Sequence, residues 1–345
     1  MTEGRLKQLL ERFKDLRITV LGDLFLDRWW EVDEEKAEPS VETGKTAWQV
    51  TGRRMSAGAA GTVLNNLSAL QVKTIRVISA IGDDGEGYEL VRLLREKGID
   101  LSFLIRDERI KTPTYTKPMF FSHESSETEG ERFDIKNFSI MPEEIQKNVI
   151  YFLEQAAEES DAIIVLDQLL EEDTGVVTSM VRDALAHLGK THPDLLIFVD
   201  SRGYADRFSQ VTVKCNDKEA MMWSGIQSEK ESSIEQLGQC MEKQKKRTGR
   251  PAVITCGARG ILVETKGRKV LVPALPVTGE IDVCGCGDVT TSGMVSALCA
   301  GADWEEAAQM GNLCAAVTIR KIGQTGTSSP EEVLERYRRG CKGEM

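Results

Sequence analysis

Short apolar runs alternate with amphipathic stretches along the chain, and most of the apolar runs end in or beside an aspartate. The stretches between them, such as "DGEGYELVRLLREKG" and "TGVVTSMVRDALAHLG", carry apolar residues at helical spacing. The predicted strands are Arg17–Asp23, Thr74–Gly82, Asp161–Asp167, Asp194–Gly203 and Pro251–Gly257. This alternation predicts an α/β fold with a mostly parallel central sheet. Ligands of such folds bind at the carboxyl ends of the strands, where these aspartates lie.

Two segments interrupt the alternation. Residues 37–55 and 114–135 are rich in β-prone and turn residues. They predict a small second sheet, a lid inserted in a single domain that covers residues 1–345. Because a small sheet exposes an apolar face, we expect a homodimer that forms through the lids. The predicted apolar face consists of Trp48, Val50, Met119 and Phe121.

Composition narrows the classes of partner. The chain has 44 basic and 55 acidic residues, a net charge of −11, and no long basic run. Nucleic acid and anionic membranes are therefore not expected as partners. Neither a signal-type N-terminal segment nor a run of about 18 apolar residues is present, so we expect a cytoplasmic protein. The eight cysteines all lie from Cys215 onward without a C-x-x-C pair, which favours reduced thiols.

The stretch "DVCGCGDVTTSGM", residues 282–294, allows more than one interpretation. Cys284 and Cys286 could bind zinc, but such a site usually needs four Cys or His ligands, and none of the three histidines is close in sequence. Alternatively, the loop glycines let backbone N–H groups converge at a helix start and hold an anion, with Asp288 as proton acceptor. An ordinary N-cap at Asp288 beside a tight turn is an equally simple explanation.

Several motifs together resemble one family. "DVCGCGD" is similar to the D-x-x-G-x-G-D signature of the ribokinase (PfkB) family of carbohydrate kinases. "SAGAAGTVLNNLSALQVKTIRVISAIGDDGEG" resembles its N-terminal signature, "KCNDKEA" its N-x-x-E motif and "ITCGARG" its T-x-G-x-x-G motif. "GDLFLDRWW", "TPTYTK" and "ERFD" resemble the heptose-phosphate kinase branch, and the motifs follow the family order from about Arg17 to Gly326. The resemblance implies a ribokinase-like three-layer sandwich and an ATP-dependent sugar kinase.

The resemblance also implies catalytic roles. Asp288 would deprotonate the sugar hydroxyl. The backbone N–H groups of Gly285, Cys286 and Gly287 would hold the γ-phosphoryl group, in keeping with a reaction in which the protein mainly positions groups and balances charge. Cys286 stands where the family commonly has Ala, and this change is tolerable because only its backbone is needed.

On the nucleotide side, the resemblance implies residues that contact ATP and Mg²⁺. They are Asn216, Glu219, Thr255, Gly257, Gly260 and Asn312. The first two would organise Mg²⁺ through water. Asp282, with the carbonyl of Val283, would hold a monovalent cation such as K⁺. Cys284 stands where Thr is common and puts the details of this cation site in doubt.

On the sugar side, the resemblance implies hydrogen bonds from Asp23 and Asp27 to sugar hydroxyls. Gly58 and Ala59 would permit close approach of the substrate. Thr62 replaces a common sugar-binding asparagine, so the choice of substrate, a sugar or a sugar phosphate, stays open.

Other charged residues fit two roles each. Lys117 and Arg132 on the predicted lid strands fit a phosphate carried by the substrate, or ordinary charge on an edge strand. Asp167, at a strand end, fits contact with substrate or magnesium, or a cap on the next loop. Arg202 fits the nucleotide phosphates or a solvated turn.

Three other functions compete with a sugar kinase. One is a nucleoside kinase of the same family, and another is a non-catalytic relative that binds sugar or nucleotide. The presence of Asp288, Asn216 and Glu219 favours catalysis. The third, a dinucleotide-dependent oxidoreductase, needs G-x-G-x-x-G directly after the first strand, and "VLGDLFLD" lacks it.

Overall fold

The computed structural model of the protein describes residues 1–122, 125–226, 232–323 and 325–341. Residues 123 and 124, within the predicted lid, lie outside the described residues. The helices are α1 Glu3–Arg12, α2 Ala60–Ala69, α3 Gly85–Glu96, α4 Glu143–Glu159, α5 Ser179–Thr191, α6 Asp217–Trp223, α7 Ile234–Thr248, α8 Cys286–Cys299, α9 Trp304–Thr318 and α10 Pro330–Cys341. The strands are β1 Arg17–Gly22, β2 Leu24–Pro39, β3 Thr46–Ala59, β4 Thr74–Gly82, β5 Asp100–Asp107, β6 Thr114–Ser122, β7 Ser125–Glu129, β8 Phe133–Ile135, β9 Ala162–Asp167, β10 Leu196–Ser201, β11 Thr212–Asn216, β12 Ala252–Thr255, β13 Ile261–Thr265 and β14 Arg268–Val272.

The central sheet has nine strands in the order β14-β13-β12-β11-β10-β9-β1-β4-β5. Neighbours from β5 to β12 pair in parallel, and β13 and β14 pair antiparallel at one edge. The strands are buried on both faces, so Ile164 and Leu166 of β9 enter one core while Ile163 and Val165 enter the other. Helices cover both faces, which confirms the predicted three-layer α/β fold.

Local sequence determines where several helices begin. The Asp84 carboxylate accepts the Gly87 N–H at 2.7 Å at the start of α3. Asp303 and Glu306 form a reciprocal capping box at the start of α9. These short-range hydrogen bonds satisfy N–H groups that the first helical turn leaves without partners.

A second sheet contains β3, β2, β6 and β7 in that order, with β8 paired to β6. We call this sheet the lid. The lid starts at Leu24, earlier than the predicted segment 37–55. The chain leaves the central sheet at the end of β1 and enters the lid directly after Asp23. The run "LFLDRWWEV" is apolar enough to be a continuation of a buried strand, so the change of sheet is not visible in the pattern.

The register of the lid separates its two faces. Asp27 lies opposite Ser56 on β3 and Tyr115 on β6, so these side chains share one face.

The single apolar face predicted for the lid is wrong. Val32 pairs with Val50 and with Phe120, and Trp48 packs edge-on against Phe120 with ring centroids 5.0 Å apart. Met119 and Phe121 alternate with Phe120 along β6 and therefore project from the opposite face. A one-residue offset between two strands reverses the facing of a side chain, and sequence alone does not fix that offset.

In the described part of the chain, no helix is both long enough and apolar enough to cross a membrane.

Candidate active site

The loop that leads into α8, residues 282–287, is the predicted anion-binding segment, and we call it the anion loop. Gly285 adopts φ +73°, a left-handed conformation that suits glycine, and α8 begins at Cys286. The Cys286 N–H donates to the Val283 carbonyl at 3.1 Å. Among the described residues, the N–H groups of Gly287 and Asp288 have no acceptor. The Gly285 N–H likewise has no acceptor among these residues, so two of the three predicted donors, Gly285 and Gly287, are available, whereas the Cys286 N–H closes the turn.

Asp288, the predicted general base, lies in the first turn of α8. Burial raises the pKa of the Asp288 carboxyl to about 7, with a further contribution from Asp200. Lys214 acts in the opposite direction, and Asp27 adds a smaller upward effect. A carboxylate whose pKa is near neutrality can accept a proton from a hydroxyl and release it afterwards. Three carboxyl groups and one lysine ammonium, from four separate parts of the chain, therefore lie close enough to influence one another.

Lys214 is a functional candidate that sequence reasoning missed. It is buried at 4% exposure, and its ammonium forms an ion pair with Asp200. A methyl group added at Gly287 would lie 3.3 Å from the Lys214 Nζ, so the cation lies beside the anion loop. The sequence does carry a signal for this role, namely a lysine within the mostly apolar strand "VTVKC". A lysine in a buried strand needs a charged partner, because an unpaired lysine is rarely buried.

Asp27 lies on the lid face that looks toward this site. Burial raises the pKa of Asp27 to about 6, while Lys117 and Arg132 lower it. Lys117 also pairs with Glu129 at 3.5 Å. A side chain at Gly58 would collide with the Asp27 carboxylate, so Gly58 makes room for Asp27 itself.

Arg132 is held on the lid by two contacts. Its guanidinium pairs with Asp134 through bonds of 2.6 and 2.8 Å and lies 4.2 Å from the Tyr115 ring centroid. The structure therefore places both predicted lid cations near Asp27, each with a carboxylate partner of its own.

Asp23 and Asp167 have structural partners. Asp23 is buried, and its two oxygens accept the backbone N–H groups of Val176 at 2.7 Å and Gln168 at 3.1 Å. Asp167 is also buried and accepts the Ser201 hydroxyl at 2.8 Å. Burial and the nearby Asp23 raise the pKa of Asp167 to about 7. The Asp23 carboxylate thus organises the loop after β9, and the Asp167 carboxylate joins the ends of β9 and β10.

Asn216 and Glu219 form a capping box at the start of α6. The Asn216 side chain accepts the Glu219 N–H, and the Glu219 carboxylate accepts the Asn216 N–H, both at 2.8 Å. Burial raises the pKa of Glu219, and Asp200 adds to that effect. Glu219 therefore lies near the Asp200–Lys214 pair and beside the anion loop.

Three residues predicted to bind the nucleotide bond with, or leave room for, the neighbouring backbone of the protein. The Thr255 hydroxyl donates to the Cys215 carbonyl at 3.3 Å. Gly260 has φ +110°, and a side chain there would collide with the chain after β14. Both amide hydrogens of Asn312 are used, because its Nδ2 donates at 3.1 Å to the carbonyls of Val272 and Pro273. Gly257, in contrast, has open space where a side chain would stand.

Asp282, predicted to bind a cation, belongs to the anion loop, and Thr62, predicted to bind sugar, lies close to that loop. Asp282 accepts the N–H groups of Cys284 at 2.9 Å and Gly323 at 3.0 Å, so both of its oxygens already have donors. The Thr62 methyl would lie 3.5 Å from a side chain at Gly285, which places α2 directly under the loop.

Ala59, before α2, has φ +53° and ψ −119°, a conformation that costs free energy for any residue except glycine.

The predicted zinc alternative for Cys284 and Cys286 has no support in the arrangement of side chains described for this protein. Where the structure gives side-chain positions, no group of three or more His, Cys, Asp or Glu residues is arranged to hold an ion directly. Cys284 is exposed and Cys286 is half-buried. Burial raises the pKa of both thiols, which disfavours the thiolate that zinc requires.

Comparisons with known proteins agree with this geometry. A profile of the family described as "pfkB family carbohydrate kinase" matches residues 16–332. The protein named "Bifunctional protein HldE" from Citrifermentans bemidjiense is 28% identical, over 99% of this chain and 67% of that protein. The protein of the same name from Geotalea uraniireducens is 28% identical, over 97% of this chain and 65% of that protein. The chain thus spans about two thirds of the length of these relatives.

Solved structures support the same fold. Phosphofructokinase-2 from Escherichia coli has a TM-score of 0.69 at 17% identity, covering 94% of this chain and all of that chain. Ribokinase from Arabidopsis thaliana, complexed with ribose and ATP, has a TM-score of 0.65 at 15% identity, with coverages of 93% and 98%. The family profile covers most of the sequence, and the predicted fold is confirmed. The chain belongs to the pfkB family of carbohydrate kinases.

Proposed function

We propose that this protein transfers the γ-phosphoryl group of ATP to a hydroxyl of a sugar or sugar phosphate. The observation that carries the proposal is Asp288, a carboxyl with a pKa near 7 in the first turn of α8, beside N–H groups of Gly287 and Asp288 that lack acceptors among the described residues. A base and an anion hole at one point are what phosphoryl transfer needs.

In the proposed reaction, Asp288 accepts the proton of the acceptor hydroxyl as its oxygen attacks the γ-phosphorus, and the bond to the ADP oxygen breaks. The free N–H groups of Gly287 and Asp288, with the positive end of α8, hold the oxygens of the moving phosphoryl group. Lys214 adds a positive charge beside them. Its partner Asp200 keeps that ammonium charged despite its burial, since it raises the pKa of Lys214.

The acceptor lies, in this proposal, between the anion loop and the lid. Asp27 is the lid carboxylate whose charge acts on Asp288, so it is placed to accept a hydrogen bond from a sugar hydroxyl. Lys117 and Arg132 stand near Asp27 and are suited to a negatively charged acceptor. In the proposal, Asp23 and Asp167 hold the backbone near the acceptor in place through their bonds to neighbouring loops and strands, and have no direct contact with the sugar.

The nucleotide lies along the carboxyl ends of β11 and β12. Gly257 leaves space for phosphate or ribose, while Thr255, Gly260 and Asn312 shape the surrounding backbone. Asn312 has only an indirect role near the adenine in this proposal, because both of its amide hydrogens are already bonded within the protein.

The residues present fit Mg²⁺ held mainly through water. Glu219 and Asp200 offer carboxylate oxygens, which Mg²⁺ prefers, and Mg²⁺ commonly keeps several water ligands. When bound, the ion would neutralise charge between the phosphates. Asn216 keeps Glu219 in place through the capping box. A K⁺ ion near Asp282 would depend on backbone carbonyls, since both carboxylate oxygens of Asp282 accept N–H groups.

A coupled assay of ADP release over free sugars, sugar phosphates and nucleosides tests the proposal. Turnover with a carbohydrate acceptor, dependent on Mg²⁺, is the expected result. Turnover with nucleosides alone would assign the chain to nucleoside phosphorylation. ATP binding without turnover on any member of the panel would refute the proposal and favour a non-catalytic binding protein.

A further inference from the structure

The start of α3 is bonded to the chain segment that enters the lid. The helix itself belongs to the body of the protein, because Leu90, Val91 and Leu94 pack in one of the cores beside the central sheet. Just before α3, the Asp84 carboxylate accepts the N–H and the hydroxyl of Thr112 at 2.9 and 2.7 Å. Thr112 lies two residues before β6. These bonds therefore hold the point at which the chain enters β6.

An ion pair joins the same helix to β2 of the lid. The Arg28 guanidinium, on β2, donates to the Glu86 carboxylate, in the first turn of α3, at 2.8 Å. Both side chains are mostly buried, with exposures of 19% and 26%. The Arg28 Nε is buried without an acceptor, and Glu86 is the one acceptor of this guanidinium among the described residues. Loss of the Glu86 charge would thus leave a largely buried cation without compensation, which is costly.

A second ion pair between the two surfaces is much more exposed. By strand register, Arg53 on β3 lies on the same lid face as Arg28. Arg53 pairs with Glu89 of α3 at 3.9 Å, but its side chain is 66% exposed, and Glu89 also accepts a hydrogen bond from Arg92 at 3.0 Å. Exposed ion pairs contribute little to stability. Within the described ranges, the buried pair is therefore the main ionic contact between α3 and the lid strands.

The neighbour of Arg28 along β2 is Asp27. Successive residues of a strand project to opposite faces, so Arg28 points to α3 while Asp27 points to the acceptor side of the lid. Asp27 has little room to move, since a side chain at Gly58 would collide with its carboxylate. Gly58 leads into α2, whose Thr62 methyl would lie 3.5 Å from a side chain at Gly285 in the anion loop. An anchor at Arg28 therefore fixes Asp27 relative to the anion loop.

We infer that Arg28 and Glu86 are positioning residues, whose ion pair holds the lid on α3 and thereby sets the place of Asp27 over the acceptor. The inference rests on the proposed function, which assigns a sugar hydroxyl to Asp27. The ion pair lies on the face of the lid that is turned away from the acceptor. Its loss should weaken binding of the carbohydrate and leave ATP binding unchanged, because the proposal places ATP along β11 and β12, away from α3.

Steady-state kinetics of Arg28→Gln and Glu86→Gln test the inference, with the acceptor that wild type turns over fastest, starting from ribose and fructose 6-phosphate. Each substitution should raise the KM for the acceptor about tenfold, as for one lost charge-assisted contact, and change the KM for ATP by less than about twofold. The double variant should resemble either single variant, because both remove the same contact. Arg28→Lys should restore part of the loss, since it keeps the charge without the planar geometry.

Arg53→Gln is the matched control, because Arg53 lies on the same lid face and pairs with the same helix through an exposed contact. It should leave the KM for the acceptor unchanged. Amide hydrogen exchange supplies a readout that is independent of turnover: β2 should exchange faster in Arg28→Gln and Glu86→Gln than in wild type, and at the wild-type rate in Arg53→Gln. If a single variant does not fold, the double variant, which leaves no charge of this pair unpartnered, decides the question.

A merely structural role has a different outcome, namely a lower free energy of unfolding with an unchanged KM for the acceptor, and that result overturns the inference. An equal rise in the KM for ATP, or an equal effect of Arg53→Gln, overturns it as well. Failure of the proposed function is distinguishable, since wild type would then phosphorylate no carbohydrate. Hydrogen exchange then decides whether the ion pair holds the lid, and equal exchange of β2 in wild type and in both single variants refutes that role.

Discussion

Replacing Asp288 by asparagine should inactivate the protein and stabilise it at the same time. The side chains have nearly the same shape, but asparagine does not accept the acceptor's proton. Removal of a general base typically lowers kcat by about 10²-fold or more. Wild-type kcat/KM should itself fall as the pH drops through about 7, where the Asp288 carboxyl becomes protonated.

The stability effect follows from the same pKa. Burial raises the pKa of Asp288 from 3.8 to about 7, so the folded state favours the protonated carboxyl. Ionisation therefore costs folding free energy that grows as the pH rises from about 4 to about 7, and is at most on the order of 4 kcal/mol above that range. Asparagine lacks this cost. The free energy of unfolding of Asp288→Asn, relative to wild type, should thus increase by about 2 to 3 kcal/mol between pH 5 and pH 8.

The assay is urea unfolding of both proteins at several pH values, together with kcat. Asp183→Asn is a suitable control because Asp183 is exposed on α5, and it should leave both quantities unchanged. A stability difference that does not depend on pH would show that Asp288 does not titrate as a buried carboxyl. Near-normal turnover by Asp288→Asn would remove it from the reaction.

Three further predictions concern the backbone, the metal and the lid. Ala59→Gly should stabilise the protein by about 0.5 to 2 kcal/mol in urea unfolding, because the relief of backbone strain outweighs the added freedom of the unfolded chain. Ala57→Gly, at a residue with ordinary strand geometry, should destabilise the protein. Equal effects of the two substitutions would argue against strain at Ala59. Glu219→Gln should raise the Mg²⁺ concentration required for half-maximal turnover, and an unchanged requirement would exclude Glu219 from the metal site. If the protein dimerises through the lid face that carries Trp48, sedimentation should show Trp48→Ser as a monomer. Met119→Ser, on the opposite face, should remain a dimer. A monomeric wild type would refute the predicted dimer.

Local sequence determined the parts of this protein that depend on near neighbours. Apolar runs of strand length and helical spacing predicted the α/β fold, because both periodicities are properties of a single segment. Gly285 and Asp288 predicted the anion loop for the same reason, since a left-handed glycine before a helix start is settled within a few residues. The capping box of Asn216 and Glu219 is equally local, although its sequence suggested a nucleotide site and not a cap.

Tertiary structure decided what segments far apart in sequence do to one another. The ion pair of Lys214 with Asp200 depends on two parallel strands being neighbours, and the pKa of Asp288 depends on both. Which lid residues share the face of Asp27 depends on strand register, which a shift of one residue would reverse. Burial, charge and pairing are properties of the assembled neighbourhood, and only the folded chain brings that neighbourhood together.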